Sequence, residues 1–167
     1  MAKHSGDPEG KRIREEERTA LLSAVLGLSS STGYRQLTAD GIAAVAGISR
    51  ERFGELFLDP EDCYATAYEV WAETFWRRLL AACEAEASWP AKMRAGIQGL
   101  VRYAREEPSE ARGAIGQAPL AGARVQAARR HLLGRLSHAI DNARRETDLS
   151  RHSPPPSTAP FIVGGLA

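Results

Sequence analysis

Residues 33–69 read GYRQLTADGIAAVAGISRERFGELFLDPEDCYATAYE, and their local chemistry sets the fold. Gly33 can take the positive φ that ends a preceding helix. Thr38 offers an N-cap hydroxyl to a short helix, TADGIAAVAG, that places Ile42 and Val45 on one side. Gly47 stops that helix and Ser49 caps the next, RERFGELF, in which Phe53, Leu56 and Phe57 point together. Ala43 and Gly47 stand four apart: the small residue lets the next helix cross closely, and the glycine supplies a tight turn. Ile48 follows as a plug under that turn. Asp59-Pro60-Glu61-Asp62 then combines an Asp cap, Pro at the first helical position and two acids against the positive end of a helix dipole. Two short helices around a glycine turn make a helix-turn-helix, although an ordinary helical hairpin can use the same glycine.

Outward from this stretch the periodicity stays helical, and no strand is predicted. Upstream, residues 1–15 are polar and punctuated by Gly and Pro, so they are expected to form a flexible arm. From about Glu15, the residues Leu21, Leu22, Val25 and Leu28 fall on one helical face. Downstream, Tyr64, Tyr68, Trp71, Phe75 and Leu79 stripe a helix expected to reach Ala87, roughly 40 Å in length. Pro90 opens another, with Met93, Ile97, Leu100, Val101 and Ala104 as its inner stripe, closing before Pro108. A short helical piece is expected over 109–116. Val125, Ala128, Leu132, Leu136, Ile140 and Ala143 mark a last long helix to Glu146. Three prolines at 154–156 make a loop, and APFIVGGLA reads as the start of a helix whose continuation is missing. The fold class is therefore all-α. The expected organisation is an arm at 1–15, a helix-turn-helix domain at 16–66 and a helical regulatory and dimerisation domain at 67–167 that is incomplete at its C-terminal end.

At 167 residues and 18.1 kDa, with 43% hydrophobic and 26% charged residues, the chain has an ordinary globular balance that excludes wholesale disorder. The formal net charge is +1, so bulk charge selects no partner. Residues 1–66 hold 8 basic and 11 acidic side chains and carry −3, while the remainder carries +4. Any case for nucleic acid must therefore rest on individual positions. Cys63 and Cys83 match no disulfide or metal spacing and read as reduced thiols of a cytoplasmic protein. The N-terminus lacks the apolar core of a signal peptide. The longest apolar-leaning run, Ala20 to Leu28, is far shorter than the ~20 residues of a membrane span. No motif for a nucleophile, a phosphate loop or a metal is present. His131 and His138, seven apart, are about 10 Å distant along one helix, too far to share an ion. No enzyme activity, cofactor or membrane association is predicted.

The stretch from Arg18 to Glu69 resembles the N-terminal domain of TetR-type transcriptional regulators. The resemblance is carried by Gly33, Tyr34, Thr38, Ile42, Ala43, Ala46, Gly47, Ile48, Ser49, Phe57 and the Asp59–Glu69 helix opening. It implies a homodimer that inserts one recognition helix per subunit into successive major grooves of a double-stranded DNA operator. It also implies a small-molecule effector, bound among the C-terminal helices, that moves the fourth helix and releases the DNA; a repressor is the expected type. The chain departs from the family pattern at Gly54, where an aromatic is usual, at Pro60, where Lys or Arg is usual, and at Ser29, where a large apolar residue is common. With the C-terminal helices cut short, poor dimerisation is a further expectation.

From the residues themselves, Thr38 and Ser49 can present hydroxyl and backbone N–H groups to phosphates. Taking Phe53 as inward, Arg50 lies near about 60° and Arg52 near about −100°, both flanks from which an Arg can reach phosphate or a guanine edge. The DNA reading depends on these two guanidinium groups being available. Arg35 and Gln36 are backbone candidates, as are Lys11, Arg12 and Arg14 more loosely. Glu51 and Glu55 form the most outward line, able to accept from cytosine but repelling phosphate, with Arg52 placed to neutralise Glu55. The candidate DNA-binding set is Arg35, Gln36, Thr38, Ser49, Arg50, Glu51 and Arg52. The candidate effector set is Trp71, Phe75, Met93, Tyr103 and His131, suited to an apolar or aromatic ligand, although such a stripe also serves as plain core. The alternative to a DNA-binding regulator is a helical ligand-binding or interaction protein of the same fold with weak or lost DNA binding.

Overall fold

The computed structural model describes residues 8–146, with side chains described through residue 142. The order is α1 (Pro8–Thr32), α2 (Ala39–Ala46), α3 (Arg50–Leu56), α4 (Pro60–Glu84), α5 (Trp89–Glu106), α6 (Pro108–Ala111) and α7 (Ala123–Glu146). A π-helical turn, Arg112–Gly116, follows α6, and single 3₁₀ turns lie at Tyr34–Gln36 and Ala118–Leu120. The described residues contain no strand, in keeping with the all-α expectation. The apolar segment Pro160–Ala167 and the triple proline lie outside the described residues. No described helix is long and apolar enough to cross a membrane.

The chain divides into two compact units, residues 1–68 with 109–122 and residues 69–108 with 123–167. Helix α4 contributes its first turns to one and its remainder to the other. Residues 109–122 group with the helix-turn-helix segment and not with the helices that flank them. The arm differs from expectation, because Pro8 to Glu15 are the opening turns of α1. Pro8 suits the first helical position, and Arg12 ion-pairs with Glu9 and Glu16 at i−3 and i+4.

In the first unit, Leu21, Val25, Ile42, Phe53, Cys63 and Tyr64 are fully buried. Thr38 caps α2 by accepting from the Gly41 N–H at 3.1 Å, and Ser49 caps α3 by accepting from Arg52 N–H at 3.2 Å. Gly47, at φ 70°, closes α2 with Ile48 N–H donating to Ala43 O at 2.9 Å. The Asp59 carboxylate accepts from Asp62 N–H, and the Asp62 carboxylate accepts from Leu58 N–H, a reciprocal cap at the start of α4. Two side chains differ from the expected packing. Val45 does not share Ile42's burial and is 60% exposed, although it lies only about 60° from Ile42 round α2. Ile48 is half-buried rather than a sealed plug.

The π-helical turn packs on α1 at unusually short range. A Cβ on Gly113 would lie 2.1 Å from Leu26 O and 2.8 Å from Ser29 Oγ. Ser29 is fully buried there and donates to Leu26 O at 2.8 Å. A larger residue at position 29 would occupy the space that Gly113 takes. The Tyr64 hydroxyl donates to Gly113 O at 2.7 Å, and Gln117 Oε1 accepts from Tyr34 N–H at 3.0 Å. The Tyr34 and Tyr64 rings meet edge to face at 4.9 Å.

In the second unit, α7 buries Val125, Leu132, Leu136 and Ile140 as its spacing predicts. Helix α4 ends at Glu84, one turn before the expected Ala87. Helix α5 is rotated from expectation, with Ile97 61% and Val101 45% exposed. The cause is Gly96, which is buried against α4, where a Cβ would meet Leu79 at 3.2 Å and Cys83 Sγ at 3.7 Å. A backbone without a side chain gives a closer approach than the bulkier stripe allows, so the helix turns Gly96, Leu100 and Tyr103 inward.

Two outcomes follow. Gly113→Ala should destabilise the fold by roughly 2–3 kcal/mol, since the methyl would strike backbone rather than a movable side chain; a lowered thermal midpoint measures this. Burial raises the Cys63 thiol from 9.0 to about 12, so above about pH 9 the unfolded chain releases a proton that the folded chain retains. Stability should fall as pH rises through that window, by up to about 1.4 kcal/mol per pH unit from this group. Urea midpoints at several alkaline pH values should fall less steeply for Cys63→Ala.

Candidate nucleic-acid interface and helical cleft

The surface built by α2 and α3 carries Arg35, Gln36, Thr38, Ser49, Arg50 and Glu51, all exposed. Thr38 sits at the start of α2 with its hydroxyl already used as a cap. Arg50 Nε stands 3.8 Å from Asp40 Oδ1, beyond hydrogen-bond range, and both side chains are largely exposed. The Arg50 guanidinium lies 5.5 Å from the Phe53 ring centroid, and a Cβ on Gly54 would sit 3.5 Å from its Nη1. Thus the place where an aromatic is usual is bare, and the arginine lies back across it.

Glu51 is exposed, as its outward position predicts. Its carboxyl is held below the usual range, first by its own backbone N–H, then by the Ser49 hydroxyl. The Glu51 carboxylate therefore shares the start of α3 with the donors that the sequence reading offers to a phosphate.

The structure places Arg52 differently from the sequence reading. Its Nε and Nη2 both donate to Glu17 Oε2 on α1, at 2.7 and 2.6 Å, while Nη1 donates to the Glu55 carboxylate. Its flank of α3 faces α1, which the periodicity of α3 alone could not show. Arg52 and Glu17 are only 26% and 27% exposed. The predicted Arg52–Glu55 pair is present, but the guanidinium is also committed to Glu17. Sequence reasoning missed Glu17 in this role, although the run Glu15-Glu16-Glu17 was a visible signal. It also missed Arg18, whose guanidinium lies 5.1 Å from the centroid of the buried Phe57 ring, and Leu58, an exposed apolar tip between α3 and α4.

In the second unit, α4 and α5 enclose a cleft of about 420 Å³. Phe75, Leu79, Ala82, Leu100 and Tyr103 give it an apolar floor, with Arg78, Arg102 and Glu106 among its lining residues. Trp71 stands behind this floor, stacked on Phe75 at 5.4 Å, and its indole N–H donates to the Tyr103 hydroxyl at 2.5 Å. Of the five residues predicted to hold an effector, Phe75 and Tyr103 line the cleft and Trp71 supports them. Met93 is half-buried outside the lining, and His131 is exposed. His131 precedes the buried Leu132 by one position, about 100° round α7 from its inward face. The charged lining residues were not foreseen, because they belong to the polar sides of their helices. No cluster of three or more potential metal ligands occurs among the described residues.

No family model and no curated protein sequence matches the chain. Among solved structures, it is similar to the fatty acid degradation regulator FadR from Bacillus halodurans, with a TM-score of 0.75 at 12% identity, over 90% of this chain and 79% of that one. It is also similar to a protein of Pseudomonas aeruginosa PAO1 assigned as a transcriptional regulator, with a TM-score of 0.64 at 17% identity, over 85% and 68% of the two chains. The chain thus shares the fold of helical transcriptional regulators that join a helix-turn-helix to a helical C-terminal domain.

Proposed function

We propose that this chain is a ligand-responsive, DNA-binding transcriptional regulator of the TetR type, a repressor that grips a double-stranded operator as a homodimer and is released by a small-molecule effector. The observation that carries the reading is the α2–turn–α3 unit, which holds Arg35, Gln36, Thr38 and Arg50 on its exposed surface. Arg50 is the side chain best placed to contact DNA, because it is half-exposed and its ion pair with the exposed Asp40 is loose, at 3.8 Å. An exchange of such a weak pair for a phosphate or a guanine edge costs little.

The effector site in this reading is the α4–α5 cleft, whose volume lies within the range of small-molecule sites. An apolar floor with Arg78 and Arg102 beside it suits an elongated apolar molecule with an anionic end. The similarity to a fatty acid degradation regulator is compatible with that chemistry. Helix α4 is covalently shared by both units, so displacement of Phe75 by a ligand acts on the same helix whose first turn follows α3. Operator and effector then compete through a coupling free energy.

A second reading, a ligand-binding or interaction protein of this fold without an operator, draws on the engagement of Arg52 and Glu51 within the chain and on the net −3 of residues 1–66.

A gel-shift titration on DNA flanking the chain's own gene separates the two readings. The regulator reading expects a specific shift at low salt, weakened about tenfold or more by Arg50→Ala, since one charged contact is worth over 1 kcal/mol; absence of any shift selects the second reading. For the effector, titration with a long-chain fatty acid should change tryptophan emission saturably. Gly99→Phe fills the cleft from a position whose Cβ meets nothing within 4 Å, and it should abolish that change. Undiminished binding by this variant would remove the cleft as the site.

A further inference from the structure

We infer that Arg52 is a positioning residue of the reading head, holding α3 to α1 through Glu17, and that contact with the duplex falls to Arg50; this rests on the DNA-binding reading above. The two arginines sit in opposite circumstances. Arg50 is 52% exposed, in a loose pair with the exposed Asp40 at 3.8 Å and within electrostatic reach of the exposed Glu51. Arg52 is half as exposed and commits Nε, Nη1 and Nη2 to two carboxylates. Tight pairing decides against a phosphate at Arg52. A phosphate there would have to displace carboxylates that already accept from three nitrogens of one guanidinium, whereas at Arg50 no hydrogen bond to Asp40 has to be broken. Freeing Arg52 would also strand Glu17, three-quarters buried, without its cation, a costlier loss than parting an exposed pair.

The strap has a geometric task. Helix α3 has seven residues, too short to be stable alone. Phe53 and Phe57 seat one side of it in the core. A second fixed point on the flank is needed to define its rotation, and Arg52 supplies it from about 100° away. With that rotation set, Arg50 is carried to the opposite flank, facing solvent.

The test is the salt dependence of binding to a fluorescein-labelled mixed-sequence duplex long enough to span two major grooves, followed by anisotropy. A residue that neutralises a phosphate contributes about −0.9 to the slope of log K against log salt. Arg50→Ala should lose about that much slope. Arg52→Ala should bind roughly five- to tenfold more weakly with the wild-type slope. The paired substitution Glu17→Leu with Arg52→Met, which conserves net charge and replaces the ion pair by apolar packing, should restore affinity to within about twofold at the wild-type slope. Circular dichroism confirms that each variant is folded, and the paired variant keeps the test decisive if Arg52→Ala does not fold. Loss of about 0.9 in slope by Arg52→Ala or by the paired variant, or failure of the pair to restore affinity, overturns the positioning role while leaving DNA binding intact. A wild-type chain that binds no duplex at low salt overturns the DNA-binding reading itself.

Discussion

Gly113 lies so close over α1 that any side chain there would enter the carbonyl of Leu26, and the helix-turn-helix unit is organised around this approach. The segment after α6 that makes this approach is wound as a π-turn over Arg112–Gly116. Its carbonyl accepts the hydroxyl of Tyr64 at the start of α4, and one residue beyond the turn Gln117 accepts from Tyr34, ahead of α2. A residue remote in sequence thereby ties α1, the entry to α2 and the beginning of α4 to one point. Ser29 is the complementary small residue on α1. Its presence where a bulky residue is common in the resembled family is accounted for by what lies above it.

The same unit shows how clustered carboxylates are accommodated. Glu17 is partly buried while Glu51 and Glu55 stay exposed, and each has a partner within the chain. Glu17 and Glu55 take Arg52, while Glu51 takes the donors at the start of its own helix. Each engagement fixes backbone or side-chain geometry within the unit. Tightly paired charges of this kind define position, whereas a loose pair such as Arg50 with Asp40 contributes little.

Backbone proximity governs the second unit as well. Gly96 brings α5 against Leu79 and Cys83, and the price is that Ile97 and Val101 face outward. Opposite-charge links Glu69–Arg124 and Glu73–Arg135 join α4 to α7, and the Arg135 guanidinium also lies 4.4 Å from the Trp76 ring centroid. The aromatic group Trp71, Phe75 and Tyr103 is therefore both core and cleft wall: Trp71 is buried behind, and the other two rings are reached from the open side.

Capping and turn chemistry were legible in the sequence by itself, because they depend on residues within a few positions of each other. Thr38, Gly47, Ser49 and the Asp59–Asp62 cap all act where reading places them, and α7 buries the apolar stripe its spacing predicts. Their aromatic character, rather than the stripe read for α5, singled out Phe75 and Tyr103, which both line the cleft. What periodicity could not supply is the rotation of one helix against another, since that depends on the closest approach the backbones can achieve. Gly96 set it for α5 and Gly113 for α1, and both glycines looked unremarkable in one dimension. The same limit applies to charge: an arginine's flank is readable from its own helix, but whether a carboxylate waits there was decided by α1, 35 positions earlier in the chain.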